Sequence, residues 1–217
     1  MALVRHDSRE IQFKIVYCGP GGGGKTTNLS YIHRRLDPHM RGNLVSIATE
    51  QNRTICFDFL PVHAVEIAGY RTRFQLYTAP GQEVLAETRR TVLAGADGIV
   101  FVADSSPGCF ESNLVAYHGV RDSLRRNNVH PDRVPVVFQY NKRDHLNATR
   151  PEEFDEAFAL RGPSFLACAT TGYQVFATLD HLTGEILRGF HASLEGGRRS
   201  TIESEDREQE LVLEGAN

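Results

Sequence analysis

The run Gly19–Thr27, which reads Gly-Pro-Gly-Gly-Gly-Gly-Lys-Thr-Thr, constrains this chain more than any other stretch. Gly19, Gly24, Lys25 and Thr26 occupy the fixed places of a phosphate-binding loop. A phosphate chain carries several negative charges that must be solvated without bulk water. Glycines let backbone N–H groups turn inward around it with no Cβ in the way. The loop then opens a helix, whose free N–H groups and positive dipole end add to the field. Lys25 would reach the β- and γ-phosphates, Thr26 would offer its hydroxyl to Mg²⁺, and Gly21, Gly22, Gly23 and Thr27 complete the cradle. Four successive glycines cost backbone entropy when the loop orders, which predicts slightly weaker affinity or a looser loop.

The flanks fit a strand–loop–helix unit. Ile11–Tyr17 alternates before the loop, and Asn28–Leu36 is helical after it. The pattern predicts a strand over 11–18 and a helix over 25–36, ended by Asp37-Pro38. Residues 37–53 read as loop, with a short strand possible at 44–47. A long strand is expected over 54–67, bulged near Pro61, then a hairpin turn at Gly69-Tyr70 into 71–77. Beyond the turn 78–82, helices are expected over 83–95, 110–127, 151–160 and 173–194. Strands are expected over 98–104, 134–140 and 165–169. Strands alternating with helices imply an α/β fold: a mixed, mostly parallel sheet with one antiparallel hairpin and helices on both faces, a three-layer sandwich.

Composition sets limits. With 217 residues, 41% hydrophobic and 24% charged, the chain suits one α/β domain. The net charge of −3 resides in 196–217, where Arg198, Arg199 and Arg207 face six acidic residues. Residues 1–195 are therefore expected to form the domain and 196–217 an acidic, flexible tail. A balanced body gives no global pull toward nucleic acid or anionic lipid. Cys18, Cys56, Cys109 and Cys168 are far apart and read as free thiols. No apolar run approaches the ~20 residues of a membrane span. The expectation is a cytoplasmic protein with no membrane anchor, monomeric when alone.

In such sheets ligands bind at the carboxyl ends of strands, and four segments fall there. The phosphate loop is the first. In Thr78-Ala-Pro-Gly-Gln, the N–H of Gly81 could meet a γ-phosphate and Gln82 could orient an attacking water. In Asn141-Lys-Arg-Asp144, the carboxylate of Asp144 could accept from the N1–H and N2 amine of guanine. Adenine offers no such donor pair. Cys168-Ala169 could present backbone N–H groups to the guanine carbonyl. Taken singly, the last three are an ordinary turn, a polar loop and an uninformative dipeptide. Their order after a phosphate loop carries the argument.

These residues resemble a small Ras-like P-loop GTPase. The detail is similar to the bacterial MglA-type branch, the mutual gliding-motility GTPases. The likeness lies in Lys14-Ile-Val-Tyr17, Lys25-Thr-Thr-Asn28, Arg53-Thr54, Phe57-Asp-Phe-Leu-Pro61, Leu76-Tyr-Thr78, Pro80-Gly-Gln82, Phe101-Val-Ala-Asp104 and Gln139–Asp144, and covers about residues 8–190. It implies a switch that binds GTP or GDP with Mg²⁺ and slowly hydrolyses GTP. Residues near 40–60 and 78–92 would be the two loops ordered by the γ-phosphate. Gln82, Lys25 and Arg53 would be catalytic, Arg53 as an arginine finger in cis, although a solvated loop residue is an equal reading. Thr26 and Thr54 would hold the metal, and Asn141 and Lys142 would join Asp144 at the base. The resemblance also implies a Roadblock-type (MglB-like) activating dimer, an exchange factor and effectors of unknown kind, a role in polarity or motility, and recruitment to a cell pole.

Two departures shape the expectation. Most Ras-like proteins carry Asp where this chain has Thr78, a feature the MglA-type branch shares, and Asp58 is a candidate for the missing carboxylate. Asp104 ends an apolar strand as a Walker B aspartate would, while the Ras-like reading makes it structural. Three other functions compete. A partition-type ATPase shares the loop pattern but carries a lysine where this chain has Pro20 and lacks Asn-Lys-x-Asp. A small-molecule kinase needs a basic lid that is not evident. A GTP-binding scaffold without hydrolysis leaves Gln82 and Arg53 unused.

Overall fold

The structure, a computed structural model, describes residues 2–49, 52–59, 66–67, 69–160 and 162–214; within these, the side chains of 46–49, 52–59 and 195–214 are not described. Two compact units divide the chain, Met1–Thr183 and Gly184–Asn217.

The first unit is built on a sheet whose centre is parallel. Strand β1 is Leu3–Arg5 and β2 is Glu10–Cys18; β3 is Val45–Thr49 and β4 is Asn52–Phe59. Short β5 is Glu66–Ile67, followed by β6 at Tyr70–Thr78, β7 at Gly98–Asp104, β8 at Val136–Asn141 and β9 at Ser164–Leu166. The order is β3-β4-β6-β2-β7-β8-β9, with β1 on β2 and β5 on β6. From β6 to β9 every pairing is parallel, with Phe13 opposite Phe74, Val16 opposite Ile99, and Phe101 opposite Phe138. β4 runs antiparallel to β6, which is the expected hairpin, and β3 extends it by a further antiparallel pairing.

The central strands are buried on both faces, so they read as continuous apolar runs. Gly98–Asp104 is buried throughout. Side chains alternate between two cores. Val16, Phe101, Phe138 and Tyr140 share one with Leu93 of helix α2 (Ala86–Leu93), Ala116, Val120 and Leu124 of α3 (Phe110–Arg126), and Phe154 of α4 (Pro151–Ala157). On the other face, Gln139 Nε2 donates to Thr178 Oγ1, 3.1 Å away in α5 (Val175–Glu214). Tyr31 of α1 (Lys25–Arg35) meets the ring of Phe176 there, 6.3 Å between centroids. Helices on both faces and a mixed, mostly parallel sheet make the expected α/β sandwich.

Several boundaries differ from the sequence reading. Residues 45–49, read mostly as loop, pair with β4 through Val45–Cys56 and Thr49–Asn52. The long strand expected over 54–67 is two, β4 and β5; Pro61 lies outside the described residues. The helix expected from 83 opens as one 3₁₀ turn, Glu83–Leu85, before α2. The composition shift at Gly196 does not end the last helix, which runs on to Glu214. Beyond the two glycines the sequence is rich in helix formers, with Glu203 and Arg207 at the favourable i, i+4 spacing.

Candidate functional site

β2, β6, β7 and β8 are mutually parallel and end at one edge: Thr78 lies opposite Tyr17 and Asp104 opposite Asn141, with β7 running three residues past Phe101, the partner of Cys18. The phosphate loop leaves β2 here. Gly19 and Gly24 have φ of 133° and 99°, a region L side chains avoid. A Cβ at Gly19 would strike the Val102 carbonyl oxygen, and one at Gly24 would strike the Asn141 amide. Gly24 is the N-cap of α1, whose first turn carries no acidic residue. Its positive end is thus left to attract an anion, while His33, Arg34 and Arg35 complement its C-terminus.

Lys25 is buried, 8% exposed, and its ammonium donates to the carbonyls of Gly19 (2.9 Å) and Pro20 (2.6 Å). Burial lowers its pKa to about 8, and the nearby Arg89 charge adds to the effect. A cation kept this dry gains strongly from an incoming anion. A cavity of about 220 Å³ lies beside it, lined by Gly21, Gly22, Gly24, Lys25, Thr26, Thr27 and the turn Thr78–Gln82. The turn touches the loop directly: a Cβ on Gly81 would come within 2.5 Å of Gly21 N and Pro20 C. Gln82 is exposed, and Thr78 is buried in register with Tyr17.

A second cavity of about 170 Å³ is lined by Gly22, Gly24, Thr27, Asn141, Lys142, Asp144, His145, Cys168, Ala169 and Thr170. It shares Gly22, Gly24 and Thr27 with the first, so the two are ends of one trough. Asn141 ties its walls together. Its buried Nδ2 donates to Gly23 O (2.9 Å) and its Oδ1 accepts from Ala169 N (2.8 Å). Lys142 takes a left-handed φ of 65° and reaches back to Asp104, Nζ to Oδ2 2.6 Å. Burial opposes ionisation of Asp104; hydrogen bonds from Lys142 and Ser106, together with the Lys142 charge, outweigh it and hold the pKa below the ordinary value. Asn113 brackets the Asp104 backbone, accepting from its N–H and donating to its carbonyl. The carboxylate of Asp144 is exposed, and Cys168 Sγ donates to its Oδ1 at 3.3 Å.

The structure therefore brings together Gly19, Gly21, Gly22, Gly23, Gly24, Lys25, Thr26, Thr27, Gly81, Gln82, Asn141, Lys142, Asp144, Cys168 and Ala169. Arg53 and Thr54 lie in the β3–β4 hairpin, opposite Ala48 and Ile47, and their side chains are not described. Asp58 sits opposite Gln75, three residues back from Thr78 along β6, or about 10 Å of strand. Asp104 is engaged by Lys142 rather than lining the first cavity. The residues fit a nucleotide with Mg²⁺: a loop whose Gly19 and Gly24 leave no room for a Cβ, a dry ammonium and the exposed Thr26. Among the described residues no cluster of three His, Cys, Asp or Glu could hold a metal by itself.

A phosphate loop, a Pro-Gly-Gln turn and an Asn-Lys-x-Asp loop on neighbouring strand ends place the chain among the small Ras-like GTPases. It is 46% identical over 180 residues to the mutual gliding-motility protein MglA of Myxococcus xanthus, covering 82% of this chain and 92% of that protein. It is 33% identical over 141 residues to the GTP-binding nuclear protein GSP1 of Encephalitozoon cuniculi, covering 65% and 59% of the two chains. No protein-family profile matches. The chain belongs to the MglA-type family of small Ras-like GTPases, whose nucleotides are GTP and GDP with Mg²⁺. Among the described residues, no helix is long and apolar enough to cross a membrane.

Sequence reasoning missed the Lys142–Asp104 pair, the His145 and Thr170 lining of the second cavity, and Arg89. The first depends on strand order, which brings Asp104 opposite Asn141. Arg89 carried no signal, being one of two successive arginines on an amphipathic helix.

Proposed function

We propose that this protein is a GTP-operated switch that slowly hydrolyses GTP to GDP and phosphate, and that it directs cell polarity or motility through partners. The observation that carries this reading is the Asn141 side chain, which joins the phosphate loop at Gly23 to the Ala169 loop where the two cavities share Gly22, Gly24 and Thr27. Asp144 would take the guanine edge, with Lys142 beside it; the N–H groups of Cys168 and Ala169, expected to meet the guanine carbonyl, donate instead to Tyr173 O and Asn141 Oδ1. Gly21–Thr27 would hold the phosphates, with Lys25 reorienting its ammonium onto them. Thr26 and Thr54 would hold Mg²⁺, which when bound neutralises charge on the phosphates. Gln82 would orient the attacking water, and Arg53 would stabilise the transferring phosphoryl group.

Intrinsic turnover would be slow, about 10⁻⁴ to 10⁻² s⁻¹. A slow reaction suits a switch, because the lifetime of the GTP form is the signal. The similarity to the mutual gliding-motility protein MglA of Myxococcus xanthus supports a motility role; a Roadblock-type (MglB-like) activating dimer and recruitment to a cell pole are part of the same proposal. We assign 1–195 to the switch domain and 196–217 to a separate acidic segment. The test is GTP hydrolysis with and without a Roadblock-type protein: at least tenfold stimulation is expected, and an unchanged rate would remove that partner.

A further inference from the structure

Arg89 is buried, 5% exposed, although it belongs to α2 in the segment that should move with the nucleotide. Its polar contacts are specific. Nη1 donates to the backbone carbonyl of Gln82 at 3.3 Å. Nε donates to Ser123 Oγ of α3 at 3.4 Å, and that hydroxyl donates in turn to Gly119 O at 2.7 Å. Gly119 makes the slot: a Cβ there would lie 2.7 Å from Arg89 Nη2 and 3.1 Å from Cζ. Burial lowers the Arg89 pKa, against the opposing pull of Cys18, Glu83 and Asp122. A buried cation whose direct hydrogen bonds go to a backbone carbonyl and a hydroxyl is costly, and a helix glycine is suboptimal, so packing alone does not account for the arrangement.

We propose that Arg89 is a positioning residue for GTP hydrolysis: its guanidinium pins the Gln82 carbonyl to α3 and so fixes the point from which the Gln82 side chain reaches the water. The inference rests on the reading of Gln82 as the water-orienting residue. In that reaction water oxygen bonds to the γ-phosphorus, the bond from that phosphorus to the β–γ bridging oxygen breaks with its electron pair staying on GDP, and the water's proton passes to a phosphate oxygen. Arg89 touches none of these atoms. It acts through the main chain of Gln82, so its effect exists only while residue 82 carries the amide. Arg89→Lys shortens the side chain and removes the fork. Gly119→Ala leaves Arg89 intact but pushes its guanidinium out of the slot, and alanine favours the helix.

The test is single-turnover GTP hydrolysis, with GDP release and Tm, for the wild type, Arg89→Lys and Gly119→Ala, each repeated in the Gln82→Ala background. With Gln82 present, both substitutions should slow hydrolysis about tenfold, the effect of losing one charge-assisted hydrogen bond. In the Gln82→Ala background they should change it less than about twofold, the non-additivity expected of residues acting as one unit. GDP release should not change, and Gly119→Ala should melt no lower than the wild type. Equal losses in both backgrounds, or no loss with Gln82 present, would overturn the role of Arg89 while leaving Gln82 in place. A Gln82→Ala protein as fast as the wild type would instead overturn the reading of Gln82, and this inference with it.

Discussion

Lys142 extends its ammonium to within 2.6 Å of the Asp104 carboxylate, tying the base loop after β8 to the end of β7. Asp104 is nearly dry, its side chain 4% exposed. Asp104→Asn keeps the shape and removes the charge, so Lys142 should lose its anchor and GDP should dissociate about tenfold faster. The Asp104 pKa is lowered in the fold, so its contribution is complete above the unfolded value of 3.8 and is lost as pH falls through the folded value. The Tm difference between wild type and variant should shrink on acidification below 3.8. A difference that does not change with pH would contradict the pairing.

Asn141 satisfies two buried backbone groups at once, Gly23 O and Ala169 N. Asn141→Ala strands both, which should cost about 2 kcal/mol and lower Tm by roughly 4–8 °C. Thermal melting of the two proteins checks this, and a shift under about 1 °C would show that water takes over the bonds.

How legible this was depended on whether the physics was local. Gly19 and Gly24 need left-handed φ, so the loop announced itself by composition. The apolar runs of β7 and β8 named the buried strands. The Lys142–Asp104 pair was not legible as such, because 38 residues separate partners that meet only through strand order. β3 was read mainly as loop, since its pairing with β4 is a tertiary choice. The mid-chain helix of Arg89 was visible, but the slot at Gly119 that receives it was not. A glycine inside a helical pattern ordinarily weakens the helix; here it makes room for a guanidinium.

Lys25 predicts a pH signature. Burial lowers its pKa to about 8 from 10.5. The fold therefore disfavours the ammonium, a constant penalty below pH 8 that is relieved between 8 and 10.5, where the folded state loses its proton first. Phosphates favour the ammonium, so GDP binding should take up a fraction of a proton above pH 8 and weaken as pH rises further. Calorimetry at alkaline pH in buffers of different ionisation heat measures the uptake directly. Heats that do not depend on the buffer would contradict it.

Gly81 separates binding from turnover. Its added Cβ would press on Gly21 N and Pro20 C, both 2.5 Å away, and push the Gln82 turn off the phosphate loop. Gly81→Ala should slow GTP hydrolysis about 10²-fold, as expected when a reacting group is misplaced by ~1 Å. GDP affinity, which rests on the loop and Asp144, should change little. A variant that loses both together would place Gly81 in the binding site itself.

Guanine recognition by Asp144 is what makes the trough a GTP site. Asp144 is the one carboxylate lining the base end of the trough among the described residues, and an acceptor pair covered by a base that offers it no donor is heavily penalised. Equilibrium binding of fluorescent GTP and fluorescent ATP, with Mg²⁺, measures this in one experiment. The expected result is a preference for GTP on the order of 10³-fold or more, abolished by Asp144→Asn. Affinities for GTP and ATP within about tenfold of each other would contradict the guanine site and the switch built on it.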